Sequence, residues 1–328
     1  MRAPGFWKDP PGLIAGALAP AGWLYSAATA RRILQPGYRA NVPVICIGNL
    51  NVGGTGKTPT AIAMIERLVA RGRRVAVVSR GYGGSLTGPL QVFEAQHKAA
   101  EVGDEPLLLS AFASTFIGRD RAEAVRLAEG AGAGAEVVLL DDGFQNPSVV
   151  KDLSIVVVDA AQGFGNGLCL PAGPLREPVS AGLMRADLVL AIGDAAPQDK
   201  FAARWGAQMT RPVVQGVLKP LAMGLDWNGL RVIAFAGIGN PSKFFATLRG
   251  EGAEVVRKVA LDDHQPLSEA LMRRLELEAA ARGAQLVTTE KDAVRLPDRF
   301  RMQVLTLAVR LRLADWSVLE GALERLGL

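Results

Sequence analysis

Short apolar, β-branched runs alternate along this chain with longer segments whose apolar residues recur at helical spacing. Residues 42–47 (VPVICI), 75–79, 115–118, 137–140, 155–158 and 188–192 are such runs, bounded by turn residues, and predict buried strands. Helical periodicity follows several of them, in Ala61, Met64, Ile65 and Leu68 and again over 121–129. Strand–helix alternation of this kind predicts an α/β fold: a doubly wound, mostly parallel sheet with its ligand at the carboxyl ends of the strands. A turn-rich stretch around Leu225-Asp226-Trp227-Asn228-Gly229 interrupts the alternation, and 211–228 is expected to be a linker. Beyond it come predicted strands at 232–236, 254–259, 285–288 and 304–307 and helices over 267–282 and 315–326. They predict a second, smaller α/β domain over 229–328, after a core over 41–210.

The first predicted strand runs into Gly48-Asn49-Leu50-Asn51-Val52-Gly53-Gly54-Thr55-Gly56-Lys57-Thr58 and then into a helix. Strand, glycine loop, Gly-Lys-Thr and helix is the context a phosphate-binding loop requires. Glycines let successive backbone N–H groups turn toward phosphate oxygens, and the helix N-terminus adds its positive dipole. Asn51, Val52, Gly53, Gly54, Thr55, Gly56, Lys57 and Thr58 are therefore candidate nucleotide contacts. Lys57 is expected at the β- and γ-phosphates and the Thr58 hydroxyl on Mg²⁺. The usual first glycine is Asn51 here, a residue type that tolerates left-handed backbone angles. The run at 137–140 ends in Asp141-Asp142-Gly143-Phe144-Gln145, and an aliphatic strand ending in aspartate suits the second half of such a site, holding Mg²⁺ directly or through water. Gly103-Asp104-Glu105-Pro106 reads either as a solvated helix cap or as part of the site. Gly237-Ile238-Gly239-Asn240-Pro241 reads as a turn with a helix cap, because the third glycine of a dinucleotide fingerprint is missing. Thr289-Glu290-Lys291-Asp292 ends a predicted strand facing the cleft and is a candidate contact to base or ribose.

The first forty residues break the pattern. From Pro10 to Ala30 there is no charge, Pro20 sits mid-run, and Phe6, Trp7, Trp23, Tyr25 and Tyr38 lie in or beside it. Arg2, Lys8, Arg31, Arg32 and Arg39 face Asp9 alone, a local balance of +4 within a net +5. Aromatics beside basic residues suit a 1–40 segment lying at a membrane surface. A buried core helix, a spanning helix and a signal peptide are the competing readings. No Lys/Arg-rich run occurs elsewhere, so no nucleic-acid partner is expected. With 49% hydrophobic and 21% charged residues over 328 positions, disorder is excluded. Two cysteines, Cys46 and Cys169, exclude a disulfide framework and suit a reducing compartment.

The motifs taken together resemble the tetraacyldisaccharide 4'-kinase (lipid A 4'-kinase) family. The resembling stretches are GNLNVGGTGKTP (48–59), SRGYGG (79–84), VGDEP (102–106), DDGFQ (141–145), LPAGPLREP (170–178), FAGIGNPSKFF (235–245), DDH (262–264) and TTEKDAVRLP (288–297). The resemblance implies a P-loop kinase that uses ATP and Mg²⁺ to phosphorylate the 4'-hydroxyl of an acylated glucosamine disaccharide 1-phosphate. It implies a peripheral or monotopic enzyme on the cytoplasmic face of the bacterial inner membrane. Carried over by motif, Asp104 and His264 are the acid–base pair, with Lys57 and Arg176 beside the transferred group. Thr58, Asp141 and Asp142 are metal-proximal, and Gln145, Glu177 and Glu105 are further active-site residues. The family commonly continues DGFQ with histidine, whereas this chain has Asn146, an amide in place of an imidazole. Two other classes compete. A partner-driven, membrane-associated ATPase switch would usually carry lysine where Val52 stands, and a cytosolic kinase or ligase of a soluble molecule would not need the N-terminal segment.

Overall fold

The computed structural model describes residues 4–130 and 134–328. Thirteen strands are formed among these: β1 (Val44–Gly48), β2 (Val75–Ser79), β3 (Leu90–Val92), β4 (Ser114–Ile117), β5 (Val137–Asp141), β6 (Leu153–Asp159), β7 (Leu188–Ile192), β8 (Val213–Pro220), β9 (Arg231–Ala236), β10 (Glu254–Ala260), β11 (Gln285–Thr289), β12 (Val304–Leu307) and β13 (Val309–Leu313). Nine build one sheet in the order β13-β8-β7-β6-β1-β5-β2-β4-β3. Only its edge strands, β3 and β13, run antiparallel to their neighbours. The interior strands β1, β2, β5, β6 and β7 are buried along their whole length, as continuous apolar runs in a two-sided sheet must be. Alternate residues feed two cores: Val44, Cys46 and Leu140 on one face, Ile45, Ile47 and Leu139 on the other.

The second sheet, β10-β9-β11-β12, is parallel and likewise covered on both faces, with Ile233 and Phe235 on one side and Val232 and Ala234 on the other.

The expected linker and the expected C-terminal boundary both need correction. Residues 213–220 are no linker: they form β8, parallel to β7 and antiparallel to β13. β13 and the helix Ser317–Arg325 leave the second sheet and return to the first, where Leu311, Leu319 and Leu323 pack with Ile62, Ile65 and Leu68. The smaller unit is thus inserted between two paired strands of the larger one. β8 was hidden because Gly216 and Pro220 dilute its apolar run, and β13 because only Ala308 separates it from β12.

The helix Leu13–Ile33 runs through Pro20 and lies on the surface. Its inner seam is made of small residues, among them Ala15, Gly22 and Thr29. A Cβ at Gly22 would stand 3.0 Å from the Cys169 carbonyl oxygen, a tight contact, so glycine lets the helix approach this closely without a shift. Trp7 Nε1 donates to the Pro171 carbonyl at 3.1 Å and fixes the preceding turn. Leu13, Ile14, Trp23 and Leu24 all point away from the protein. The core-helix alternative fails on this count, since only the seam is covered. Arg2 lies outside the described residues.

Candidate active site

The phosphate loop joins β1 to the helix Lys57–Ala70. Gly53 (φ 113°) and Gly56 (φ 98°) occupy the left-handed region that side chains resist, which explains the glycines. The buried Asn49 side chain braces the loop from inside, donating to the Gly53 carbonyl (3.3 Å) and the Thr55 hydroxyl (3.2 Å). Asn51 does not substitute for glycine in the expected way. Its φ is not positive, and it pairs with Leu175 in an isolated bridge while Nδ2 donates to the Gly163 carbonyl at 3.0 Å. Val52 N–H donates to the Pro174 carbonyl (2.8 Å). Asn51 and Val52 therefore anchor the loop to the Leu170–Pro178 segment. Lys57 and Thr58 open the helix, and Lys57 Nζ lies 3.6 Å from Asp142 Oδ1.

The parallel register pairs Ile47 with Asp141, so β5 delivers its aspartates beside the loop. Asp142, at φ 50°, turns toward Lys57 and receives a two-pronged contact from Arg176, Nη1 to Oδ1 at 2.8 Å and Nη2 to Oδ2 at 3.1 Å. Burial alone would raise its pKa, but Lys57 and Arg176 outweigh burial and hold it at about 2. Asp141 is pushed the other way, to about 7, by burial first and then by the carboxylates of Glu105 and Asp142. Its Oδ2 accepts from the Ser79 hydroxyl at 3.0 Å, while its Oδ1 is buried without a partner. An unpartnered buried carboxylate oxygen beside a phosphate loop is the donor a divalent cation would satisfy. Gln145 Nε2 links the Asn49 carbonyl (2.8 Å) to Glu177 Oε1 (2.9 Å), and Arg185 pairs with Glu177 from the far side. Asn146 is a turn residue: its Oδ1 accepts from the Ser148 N–H and hydroxyl.

Asp104 begins a buried helical turn, Asp104–Leu109, and is only 3% exposed, which rules out the solvated cap. Its Oδ2 lies 3.0 Å from His264 Nδ1, across the two units. Burial pushes the Asp104 carboxyl up, but the His264 hydrogen bond and the charges of Lys291 and Arg295 bring it below its ordinary value. The same hydrogen bond raises the pKa of His264. His264 sits at φ 58° with the exposed Tyr82 ring edge-on to it, centroids 5.5 Å apart. Glu105 accepts from Lys291 Nζ at 3.1 Å. Lys291 thus faces the acid–base pair, and Asp292 is fully buried, accepting the Gly237 N–H at 3.1 Å. Asp292 is thus committed to Gly237 rather than to the base or ribose contact expected of this segment, while Lys291 is engaged by Glu105. Gly239 comes against the backbone of Gly54, which brings the second unit's first loop over the phosphate loop.

Sequence reasoning missed Ser79, Arg121, Arg185 and Arg295. Arg121 is buried and donates to the Asp142 carbonyl at 3.0 Å, yet in Gly-Arg-Asp-Arg-Ala-Glu it reads as a surface helix residue after its Asp120 cap.

The family model for tetraacyldisaccharide-1-P 4'-kinase matches residues 14–327. The tetraacyldisaccharide 4'-kinase of Dinoroseobacter shibae is 60% identical, over 99% of this chain and 98% of that protein. That of a Jannaschia species is 57% identical over 99% of each, and that of Rhodospirillum rubrum 47% over 99% and 98%. The crystal structure of LpxK from Aquifex aeolicus in complex with ATP superposes with a TM-score of 0.75 at 25% identity, covering 96% of this chain and 99% of that one. With full-length similarity on both counts, and with the phosphate loop, paired aspartates and Asp–His contact in one cleft, the chain belongs to the tetraacyldisaccharide-1-P 4'-kinase family.

Proposed function

We propose that this kinase transfers the γ-phosphoryl group of ATP to the 4'-hydroxyl of an acylated glucosamine disaccharide 1-phosphate, working at the cytoplasmic face of the inner membrane. The observation that carries the reading is the Asp104–His264 contact of 3.0 Å, made between the unit that bears the phosphate loop and the unit that covers it. Family membership disfavours both the ATPase switch and the soluble-substrate kinase.

Phosphoryl transfer spreads negative charge over the transferred oxygens, so positioning and electrostatics dominate. Lys57 and Arg176, both now turned on Asp142, supply positive charge where the phosphates lie. The Thr58 hydroxyl, Asp141 and Asp142 are the residues that would hold Mg²⁺, with the unpartnered Oδ1 of Asp141 the carboxylate oxygen left open to it. That ion would neutralise charge on the β- and γ-phosphates. Asp104, ionised and oriented by His264, takes the proton of the sugar hydroxyl as its oxygen attacks the γ-phosphorus. Gln145 and Glu177 hold the Arg176 segment against the loop through Asn49. The smaller unit, which already holds His264 on Asp104, would shield the γ-phosphate from water once substrates are bound and so limit ATP hydrolysis.

The helix Leu13–Ile33 is long and apolar enough to cross a membrane by length and composition. Its covered seam and exposed Leu13, Ile14, Trp23 and Leu24 favour a monotopic arrangement, with the outer face in the headgroup layer and Arg31 and Arg32 at anionic lipid. Incubation with γ-labelled ATP, Mg²⁺ and the acylated disaccharide 1-phosphate tests the function. A doubly phosphorylated, labelled lipid is expected; ADP release with no labelled lipid would favour the ATPase switch.

A further inference from the structure

Behind Asp104 lies a group of charges that the mechanism above does not use. Arg295 is 8% exposed, and its guanidinium reaches three segments at once. Nη1 donates to the Gln265 carbonyl (3.0 Å), next to His264, and Nη2 to the Gly237 carbonyl (3.1 Å). Nη2 also pairs with the fully buried Asp292, which in turn accepts the Gly237 N–H. Nε is buried without a hydrogen-bond partner and lies 3.8 Å from Asp104 Oδ2. Lys291 Nζ is 3.9 Å from the same oxygen and 3.1 Å from Glu105 Oε1.

We propose that Lys291 and Arg295 are positioning residues for the Asp104–His264 pair, a cationic clamp that seats the carboxylate and the histidine loop in one register. The inference rests on the reading above that Asp104 receives the proton of the acceptor hydroxyl. A planar guanidinium can hold two carbonyls and an aspartate in fixed directions and still keep its Nε–H for a fourth group; an ammonium cannot. An orphaned donor less than 1 Å beyond hydrogen-bond range is a contact that tightens on closure, as catalytic hydrogen bonds often do once substrate is bound. Because Arg295 also grips Gly237, the clamp ties the glycine loop lying over Gly54 to the loop bearing His264. Occupancy of the phosphate loop and alignment of the proton acceptor are thereby connected through one side chain. Lys291 contributes charge: with Glu105 it forms the only ion pair this segment makes to the Asp104–Leu109 turn besides the contacts to Asp104 itself, among the described residues.

The test uses the full-length enzyme, γ-labelled ATP and the acylated disaccharide 1-phosphate in detergent micelles, with Lys291→Met, Lys291→Arg, Asp104→Ala and Asp104→Ala/Lys291→Met. Misplacing a reacting group by about 1 Å costs roughly 10–100-fold, so Lys291→Met should lose that much in kcat with the KM for ATP unchanged. Lys291→Arg should recover most of the loss, which a purely steric role would not allow. The double variant should be no slower than Asp104→Ala, since a residue acting through another adds nothing once that other is gone. Arg295→Lys, which keeps the charge and loses the fork, should also fall in kcat; as it can unfold the loop, the Lys291 series decides. A Lys291→Met enzyme as fast as wild type overturns the clamp, as do losses that multiply in the double variant. A wild-type enzyme that labels no lipid overturns both the clamp and the function it rests on.

Discussion

Replacing Trp23 and Leu24 together by serine should release the protein from anionic vesicles without unfolding it. The two side chains are 71% and 75% exposed on the outer face of the helix Leu13–Ile33. Moving such a side chain fully out of water is worth about 1.5–3 kcal/mol. With about three-quarters of each available to lipid, the pair contributes about 3 kcal/mol, or roughly a hundredfold in partition coefficient. Arg31 and Arg32 remain in the variant and each add about 1 kcal/mol near an anionic surface, so residual binding should depend steeply on salt. Sedimentation with phosphatidylglycerol–phosphatidylethanolamine vesicles, at low and high salt, measures the change. Because neither side chain packs on the protein, the melting temperature should hardly move; exposed substitutions usually stay within about 0.5 kcal/mol. The contrasting change, Gly22→Leu, drives a side chain into the Cys169 carbonyl and should loosen the helix from the protein instead. Unaltered vesicle partition of a folded Trp23→Ser/Leu24→Ser protein would refute the docking argument.

Lys57→Ala should abolish Mg²⁺-dependent phosphoryl transfer, since it removes the main cation at the γ-phosphate; turnover at the wild-type rate would remove the phosphate loop from the mechanism. Asp104→Ala should lower kcat by about 10²–10⁴-fold with ATP affinity nearly intact, and adding His264→Ala should cost little more. The same pair sets a pH dependence of stability. Asp104 is held below its ordinary value, so its share is present above about pH 3.9 and lost as pH falls through the lower folded value; His264 is raised, so its share is present below about pH 6.5 and lost as pH rises through the folded value. The stability gap between wild type and Asp104→Asn/His264→Ala, read by denaturant unfolding, should be widest between those limits and narrow toward alkaline pH; a gap that widens there contradicts the reading. Asn51→Gly restores the commoner loop sequence yet deletes the bond to Gly163, so it should cost about 1 kcal/mol in unfolding without lowering the KM for ATP.

What the sequence displayed were the features governed by local chemistry. Strand β1, the glycines at positive φ and Lys57 belong to one continuous stretch, and its spacing suffices to name it. The interior strands were legible because two-sided burial forces unbroken apolar runs. Asp104 and His264 were legible only by resemblance: alone, the first reads as a helix cap and the second as a surface turn. Their meeting is a matter of tertiary packing between residues 160 positions apart. Arg121 and Arg295 were illegible for the same reason, because an arginine's burial depends on which carbonyls the fold brings to it. Asn51 shows the reverse error, in which a sound local argument about backbone tolerance was overridden by a bridge to Leu175.

The insertion of the smaller unit gives the proposed closure a defined hinge. The chain leaves the large sheet at the end of β8 and re-enters it at β13, and these strands are antiparallel partners, with Val309 opposite Pro220. At the crossing, Leu221 N–H donates to the Ala308 carbonyl at 2.9 Å. Both covalent links therefore pass through one narrow point, where rotation changes few backbone angles and breaks little packing. The remaining ties between the units are mostly polar: His264 and Arg295 on Asp104, Lys291 on Glu105, and Glu290 on Arg310 beside the hinge, with Val294 against the cluster of Val102 and Leu107 and Tyr82 against His264 as the apolar exceptions. Polar contacts exchange with water at small net cost, so such a seam can open to admit a nucleotide. A hydrophobic seam would not. A C-terminal domain on a single flexible linker would leave the Asp104–His264 geometry to chance at each turnover. An inserted unit swinging on paired strands returns His264 to the same place.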